Sequence, residues 1–91
     1  MPNLAISWAG LELTKAIGSE RHKTLIAFLV AKRKEAKLTQ SDLAARLGES
    51  QSFVAHLESG QRRIAFVEFV ELAEILGFDA AEVLAMLKKQ A

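Results

Sequence analysis

The stretch that decides the fold is residues 39–59, which read TQSDLAARLGESQSFVAHLES. Thr39 is a good helix N-cap, and Asp42 follows it at the spacing of a short capping box, so a helix is expected to begin here. Gly48 can adopt the left-handed conformation that ends a helix, and Ser50 can cap a second helix directly after it. The stretch therefore predicts two short helices separated by a tight turn.

The apolar residues of this stretch predict how the two helices pack. Two helices joined by a turn of about 3–4 residues cross at roughly 90–120°, which requires small residues at the crossing and a corner that can turn. Ala44 is the small residue expected at the crossing, and Gly48 supplies the corner. The shared apolar seam is expected to contain Leu43, Leu47, Val54 and Leu57. These spacings together predict a helix-turn-helix.

Three further helices are predicted around this pair from apolar spacing and from the positions of glycines. The first covers about residues 19–36, the fourth covers residues 66–76 and ends at Gly77, and the last begins at Asp79. The inner stripe of the fourth helix is expected to contain Phe66, Phe69, Val70, Ala73 and Leu76. The predicted fold is all-α, a compact five-helix domain over residues 19–91, preceded by an N-terminal arm over residues 1–18.

The composition excludes several classes of protein. The chain has 91 residues, enough for one domain, and no cysteine, which excludes disulfides and thiolate chemistry. Its longest apolar run, residues 25–31, is far shorter than the roughly 20 residues that a membrane span needs, so no membrane partner is expected. No basic residue precedes Lys15, which argues against a signal peptide. We therefore expect a cytoplasmic protein.

The charges are unevenly distributed, although the net charge is only +1. Residues 21–63 carry nine lysines and arginines against four acids, a balance of +5. Residues 64–91 carry two lysines against five acids, a balance of −3. The basic side is a candidate surface for phosphate groups.

With these motifs in place, residues 25–87 resemble the phage-repressor/Cro-like (XRE) family of helix-turn-helix proteins. The resemblance implies double-stranded DNA as the partner and a phosphate contact by Gln40 at the start of helix two. It assigns the reading of bases to the start of helix three, namely Ser50, Gln51 and Ser52, with His56 one turn further on. It assigns further contacts with the DNA backbone to the loop after helix three, namely Ser59, Gln61, Arg62 and Arg63.

The resemblance also implies a structural ion pair between Arg33, late in helix one, and Glu58, which ends helix three. The residue chemistry is compatible with base reading, because a glutamine amide matches the donor and acceptor of adenine in the major groove. Ser50 is at the same time the expected N-cap of helix three. Phe53 departs from the family pattern, and it either meets a thymine methyl group or covers the helix-two seam.

Proteins of this kind act as dimers, so the resemblance implies a homodimer on an inverted-repeat operator. The expected dimer interface consists of apolar residues of the last two helices, namely Val67, Leu72, Ile75, Val83, Met86 and Leu87. A domain of this size is not expected to bury all of them, and exposed apolar patches mark association sites. The alternative is that residues 67–87 only complete the core of the monomer.

The sequence predicts a transcriptional regulator, in the first place a repressor. The alternative is an antitoxin of the same fold, which binds a toxin or other protein partner as well as its own operator, with residues 4–17 as the candidate surface. A controller protein of a restriction system is equally compatible. An enzyme is not expected, because the two histidines lie 34 positions apart and the chain has no glycine-rich phosphate loop and no metal-binding motif. No cofactor and no metal are expected.

Overall fold

The computed structural model describes residues 19–90, which fold into five helices without a strand. The helices are α1 Glu20–Glu35, α2 Gln40–Leu47, α3 Gln51–Glu58, α4 Phe66–Leu76 and α5 Ala80–Lys89. The predicted all-α class and the five-helix arrangement are confirmed. The expected arm, residues 1–18, lies outside the described residues. None of the described helices has the length and apolar character needed to cross a bilayer.

The helix starts follow from side-chain caps at the expected positions. Thr39 Oγ1 accepts a hydrogen bond from the backbone N–H of Asp42 at 3.0 Å, and the Asp42 carboxylate accepts one from the backbone N–H of Thr39 at 2.9 Å. Ser50 Oγ accepts from the backbone N–H of Phe53 at 3.2 Å, which caps α3. These bonds satisfy backbone donors that have no partner within the helix, so they fix where α2 and α3 begin.

The corner between α2 and α3 depends on a left-handed residue. Gly48 has φ +71°, and the backbone N–H of Glu49 bonds back to the carbonyl oxygen of Ala44 at 2.9 Å. This is the hydrogen-bond pattern that closes a helix C-terminus, and glycine adopts the conformation without strain from a Cβ atom. The chain consequently turns sharply enough to send α3 across α2.

The core lies where α1 and α4 meet the helix-turn-helix pair. Leu43 and Ala44 of α2 and Val54 and Leu57 of α3 are buried, and Leu47 is half-buried against them. The other helices contribute Ile26, Leu29 and Leu72 to the same cluster. The predicted seam is therefore confirmed, and Ala44 is buried in it.

The inner face of α4 differs from the prediction. Phe69, Leu72 and Ala73 are buried, whereas Phe66 and Val70 point outward. The sequence could not fix this rotation, because apolar residues occur around almost the whole circumference of α4. The ring centroids of Phe69 and Phe78 are 5.7 Å apart, and this aromatic contact lies on the inner side of α4.

The predicted dimer interface is wrong in part. Leu72 and Val83 are buried within the chain itself, because they fill the space between α4, α5 and the rest of the domain. Ile75 and Leu87 are half-buried. Of the six residues that were expected to form one surface, Val67 and Met86 remain exposed.

Candidate nucleic-acid interface

The outer face of α3 carries polar side chains that are free to meet a ligand. Val54 and Leu57 anchor the inner face of this helix in the core. Gln51, Ser52 and His56 lie on the opposite side and are exposed, and Ser50 stands just before them as the exposed N-cap. The four residues that were expected to read bases are therefore all exposed, at the start and on the outer face of α3.

The exposed Gln51 is connected to the interior by a chain of hydrogen bonds. Gln51 Nε2 donates to Gln40 Oε1 at 2.8 Å, and Gln40 Nε2 donates to Glu58 Oε1 at 3.0 Å. Glu58 in turn accepts two bonds from Arg33, from Nε to Oε2 at 2.7 Å and from Nη2 to Oε1 at 3.0 Å. The first residues of α2 and α3 are thus bonded to each other and to the end of α3. We refer to these four residues as the Gln51–Arg33 chain.

The Gln51–Arg33 chain of hydrogen bonds determines the orientation of the two glutamine amide groups. An ionised carboxylate only accepts hydrogen bonds, so Gln40 must turn its NH₂ group towards Glu58 and its oxygen towards Gln51. Gln51 must then turn its own NH₂ group towards Gln40. This leaves the Gln51 oxygen and one of its N–H bonds available to a ligand.

The ion pair of Arg33 and Glu58, at the inner end of the Gln51–Arg33 chain, is largely buried. The side chains of Arg33 and Glu58 retain 11% and 7% of their exposure. Arg33 also donates from Nη1 to the carbonyl oxygen of Leu38 at 2.8 Å, in the turn that leads into α2. The hydrogen bond with Glu58 raises the pKa of Arg33 above its ordinary value. The pair that the family resemblance implied is present, and it joins α1, α2 and α3.

The loop after α3 is shaped by its own hydrogen bonds. Ser59 Oγ donates to the carbonyl oxygen of His56 at 2.6 Å and accepts from the backbone N–H of Gln61 at 3.3 Å. Gly60 has φ +81°, which turns the chain away from the axis of α3. Ser59, Gln61 and Arg63 are exposed beside the outer face of α3. The loop is therefore positioned to meet the same ligand as that helix.

Arg62 has a different environment from the other loop residues. Its guanidinium donates to Glu68 from Nη1 at 2.8 Å and from Nη2 at 3.2 Å, and it lies 4.5 Å from the centre of the Phe53 ring. Glu68 also accepts from the backbone N–H of Ala65 at 3.0 Å and so caps α4. The structure thus shows Arg62 in a cluster that joins the loop to α3 and α4. Phe53 is half-buried under it, which agrees with the expectation that it covers the seam.

This cluster makes stability depend on pH. The hydrogen bonds from Arg62 lower the pKa of Glu68 below its ordinary value of 4.5. Because the folded pKa is the lower one, the stabilisation is complete above pH 4.5 and is lost as the pH falls from there through the folded pKa. We expect Glu68→Gln to unfold more easily than the wild type at pH 7, with the difference shrinking below pH 4.5. Urea melts at several pH values measure this, and a difference independent of pH would contradict it.

Two contacts of the site were not predicted from the sequence. The Gln40–Gln51 bond requires the relative position of α2 and α3, which residue spacing does not provide. The Arg62–Glu68 pair spans a helix start, and its only signal was an acidic residue in the first turn of α4, where carboxylates favour the helix N-terminus. Among residues 19–90, no group of three or more His, Cys, Asp or Glu side chains is arranged to hold a metal ion.

Comparison with known proteins covers the same part of the chain. The sequence profile of a helix-turn-helix family matches residues 29–83, which include α2, α3, the loop after α3 and α4. The structure is similar to an XRE-family like protein from Pseudomonas syringae pv. tomato, with a TM-score of 0.72 and 38% sequence identity, covering 85% of this chain and 94% of that one.

A curated relative is an uncharacterised HTH-type transcriptional regulator of Sinorhizobium fredii, 40% identical over 50 residues, or 55% of this chain. The match spans 65% of the length of that relative. The profile match includes the whole of the helix-turn-helix and of α4, with the second half of α1 and the start of α5. The chain belongs to the XRE family of helix-turn-helix proteins.

Proposed function

We propose that this protein binds double-stranded DNA in a sequence-specific manner and represses transcription, with α3 in the major groove. The observation that carries the proposal is the fixed orientation of the Gln51 amide by Gln40 and Glu58. A side chain that is held in this way loses less conformational freedom on binding, which favours specific contacts. Both similar proteins are bacterial, and bacterial DNA lies in the cytoplasm, so we propose that this protein also acts there.

The base contacts follow from the groups that α3 leaves free. Adenine offers its N6 amino group as a donor and its N7 atom as an acceptor in the major groove. The Gln51 oxygen and its remaining N–H bond match that pair, so we assign an adenine to Gln51. Ser52 and His56 lie on the same face, and we assign them to neighbouring bases. Ser50 uses its hydroxyl oxygen as the cap of α3, and its hydroxyl hydrogen remains available to the DNA.

The backbone contacts are assigned to groups around the ends of α2 and α3. Gln40 keeps one N–H bond for a phosphate after its bond to Glu58. Ser59, Gln61 and Arg63 are exposed on the loop after α3. Because Arg62 is paired with Glu68, we assign the ionic phosphate contact to Arg63 rather than to Arg62.

Arg63→Ala should therefore weaken binding to all DNA sequences by the same factor. Each phosphate contact that is lost reduces the slope of log K against log salt by about 0.9. The homodimer proposed below loses two such contacts, so we expect a reduction of about 1.8 for Arg63→Ala, measured by titrating labelled duplexes at several salt concentrations. Lys89→Ala, at the end of α5, is the matched control and should leave the slope unchanged. Equal slopes for wild type and Arg63→Ala would remove Arg63 from the interface.

Selection of bound sequences from a pool of random duplexes tests the proposed function as a whole. The expected result is enrichment of an inverted repeat whose half-sites contain an adenine at one fixed position. The spacing of about 34–36 Å between half-site centres follows from one turn of DNA, if two copies bind on the same face. A pool that shows no enrichment after repeated rounds would contradict sequence-specific binding.

The antitoxin alternative needs a surface that binds a different protein. The described residues offer exposed apolar side chains outside the DNA-binding face, on α4 and α5. Such surfaces also serve for pairing of identical chains. We propose a homodimer as the DNA-binding form, because one helix-turn-helix contacts too few base pairs to define a site in a genome.

A further inference from the structure

A histidine near the start of α1 contacts the loop after α3. The Nε2 atom of His22 lies 3.2 Å from the carbonyl oxygen of Gly60, 38 residues further along the chain. A carbonyl oxygen only accepts hydrogen bonds, so Nε2 must carry a proton and donate it to this bond. The bond therefore links the first turn of α1 to the loop that holds the proposed contacts with the DNA backbone.

The position of His22 on α1 relates this bond to the buried ion pair. His22 and Arg33 are eleven residues apart, close to three full helical turns, so both side chains lie on one face of α1. Ile26 and Leu29 lie between them on that face and are buried in the core. Arg33 bonds to the last residue of α3, and His22 bonds to the loop two residues later. One face of α1 therefore holds both the end of α3 and the loop that follows it.

The bond to Gly60 also restrains the next residue of the loop. The carbonyl group of Gly60 and the N–H group of Gln61 belong to one planar trans peptide unit and point in opposite directions. The Gln61 N–H group donates to Ser59 Oγ at 3.3 Å, so His22 and Ser59 hold this peptide unit from two sides. Glycine has more conformational freedom than any other residue, and Gly60 stands directly before the unit. Without the His22 bond the unit would therefore turn more freely.

Side-chain packing contributes little to holding the loop on this side. A solvent-open groove of about 680 Å³ lies between α1 and the loop, and its lining includes Ala27, Val30, Gly60 and Gln61. Of the loop bonds described above, those of Ser59 run to α3 and within the loop, and those of Arg62 run to α4. The bond from His22 supplies the link to α1 across the groove.

We propose that His22 is a positioning residue for DNA binding, which keeps the loop after α3 in the conformation that meets the DNA backbone. This inference rests on the proposed function, because it concerns the loop contacts assigned above to Ser59, Gln61 and Arg63. His22 acts through the loop and makes no contact with DNA itself. Loss of its bond lets the loop adopt other conformations, and the apparent affinity falls with the fraction of chains in which the loop is competent.

His22→Phe tests the bond itself in the protein without DNA. The phenyl ring is similar in size to the imidazole but has no donor for the Gly60 carbonyl group, and His22 is only half-buried beside the groove. In NMR relaxation, the Gln61 amide should have an order parameter of about 0.85 in the wild type and below about 0.6 in His22→Phe. His22→Gln should restore the rigid value, because its Nε2 donor is the same number of bonds from Cα. A wild-type value already below about 0.6, or no change in His22→Phe, would overturn the proposal.

His22→Phe should also weaken DNA binding without changing the preference for one sequence. The net contribution of one hydrogen bond predicts a loss by a factor of about 2–10 for each bound chain, equal on a selected and a scrambled duplex. In a chain that carries Arg63→Ala, His22→Phe should cost less than in the wild type, because fewer loop contacts remain to be positioned. Gln51→Ala removes a contact of α3, so its effect should add in full to that of His22→Phe.

Arg21→Gln is the matched control, because it breaks a bond from the same turn of α1 to the end of α5, from Arg21 Nε to the carbonyl oxygen of Gln90 at 2.9 Å. It should leave the order parameter and the affinity unchanged, and thermal melts establish that each variant is folded. Equal losses of affinity in Arg21→Gln and His22→Phe, no rescue by His22→Gln, or full additivity with Arg63→Ala would overturn the positioning role. Failure of the proposed function is a different result, since the wild type itself would then bind neither duplex, and the DNA role of His22 would fall with it.

Discussion

Replacing Glu58 by glutamine is expected to lower the free energy of unfolding by about 3–5 kcal/mol, the cost of breaking a buried ion pair on one side. Arg33 would keep its charge in a site where only 11% of its side chain is exposed. The new amide cannot compensate, because its NH₂ group would face a donor in either orientation. In one it meets Arg33 Nε, and in the other it meets Arg33 Nη2 and Gln40 Nε2.

Urea denaturation of the wild type and Glu58→Gln measures this difference. The matched control is Glu35→Gln, which removes the partner of Lys32 from an ion pair on the surface of α1, where the Glu35 side chain is 66% exposed. Exposed pairs contribute roughly 0–1 kcal/mol, so the control should remain close to the wild type. If Glu58→Gln lowered the free energy of unfolding by only a few tenths of a kcal/mol, water would be compensating the charges of the buried pair.

The loss expected for Glu58→Gln is large relative to the total free energy of unfolding. Small domains unfold with about 5–15 kcal/mol, so Glu58→Gln would remove a substantial fraction of the stability. Its position also joins stability to recognition, because the same carboxylate orients Gln40 and, through it, Gln51. We therefore expect that, in a stabilised variant of the protein, adding Glu58→Gln leaves the domain folded. The DNA site should nevertheless be bound less tightly than by the same stabilised variant without Glu58→Gln.

The helix-turn-helix itself was predictable because its signals are local. The cap at Thr39, the left-handed Gly48 and the cap at Ser50 act through bonds between residues that are close in sequence. They determine where α2 and α3 begin and end, whatever surrounds them. The small Ala44 then allows α3 to cross α2 closely.

What could not be predicted depends on how separate helices are rotated and placed. The sequence of α4 has apolar residues on nearly all sides, so Leu72 and Phe66 could not be assigned to opposite faces before the packing was known. Arg62 was expected to contact DNA because the family resemblance assigns backbone contacts to the loop after α3. Its pairing with Glu68 and Phe53 follows from the entry angle of α4, which no local pattern encodes.

The second large effect is expected for Gln51→Ala. Loss of a bidentate contact with a base should cost about 1–3 kcal/mol on the preferred site and relax the preference at one base position. Binding to unrelated DNA should hardly change, since Gln51 carries no charge. Titration of the selected duplex and of a scrambled duplex at one salt concentration measures both effects.

Gln40→Ala tests the orientation of the Gln51 amide. This variant keeps the Gln51 amide but removes the acceptor at 2.8 Å that fixes its direction, together with the phosphate contact assigned to Gln40. Its preference should therefore relax at the same base position as in Gln51→Ala, while the lost phosphate contact weakens binding to both duplexes by a common factor. Gln61→Ala, on the loop, should weaken both duplexes equally and serves as the control. If Gln51→Ala also weakened both duplexes equally, Gln51 would be a backbone contact, and base reading would have to lie with Ser52 and His56.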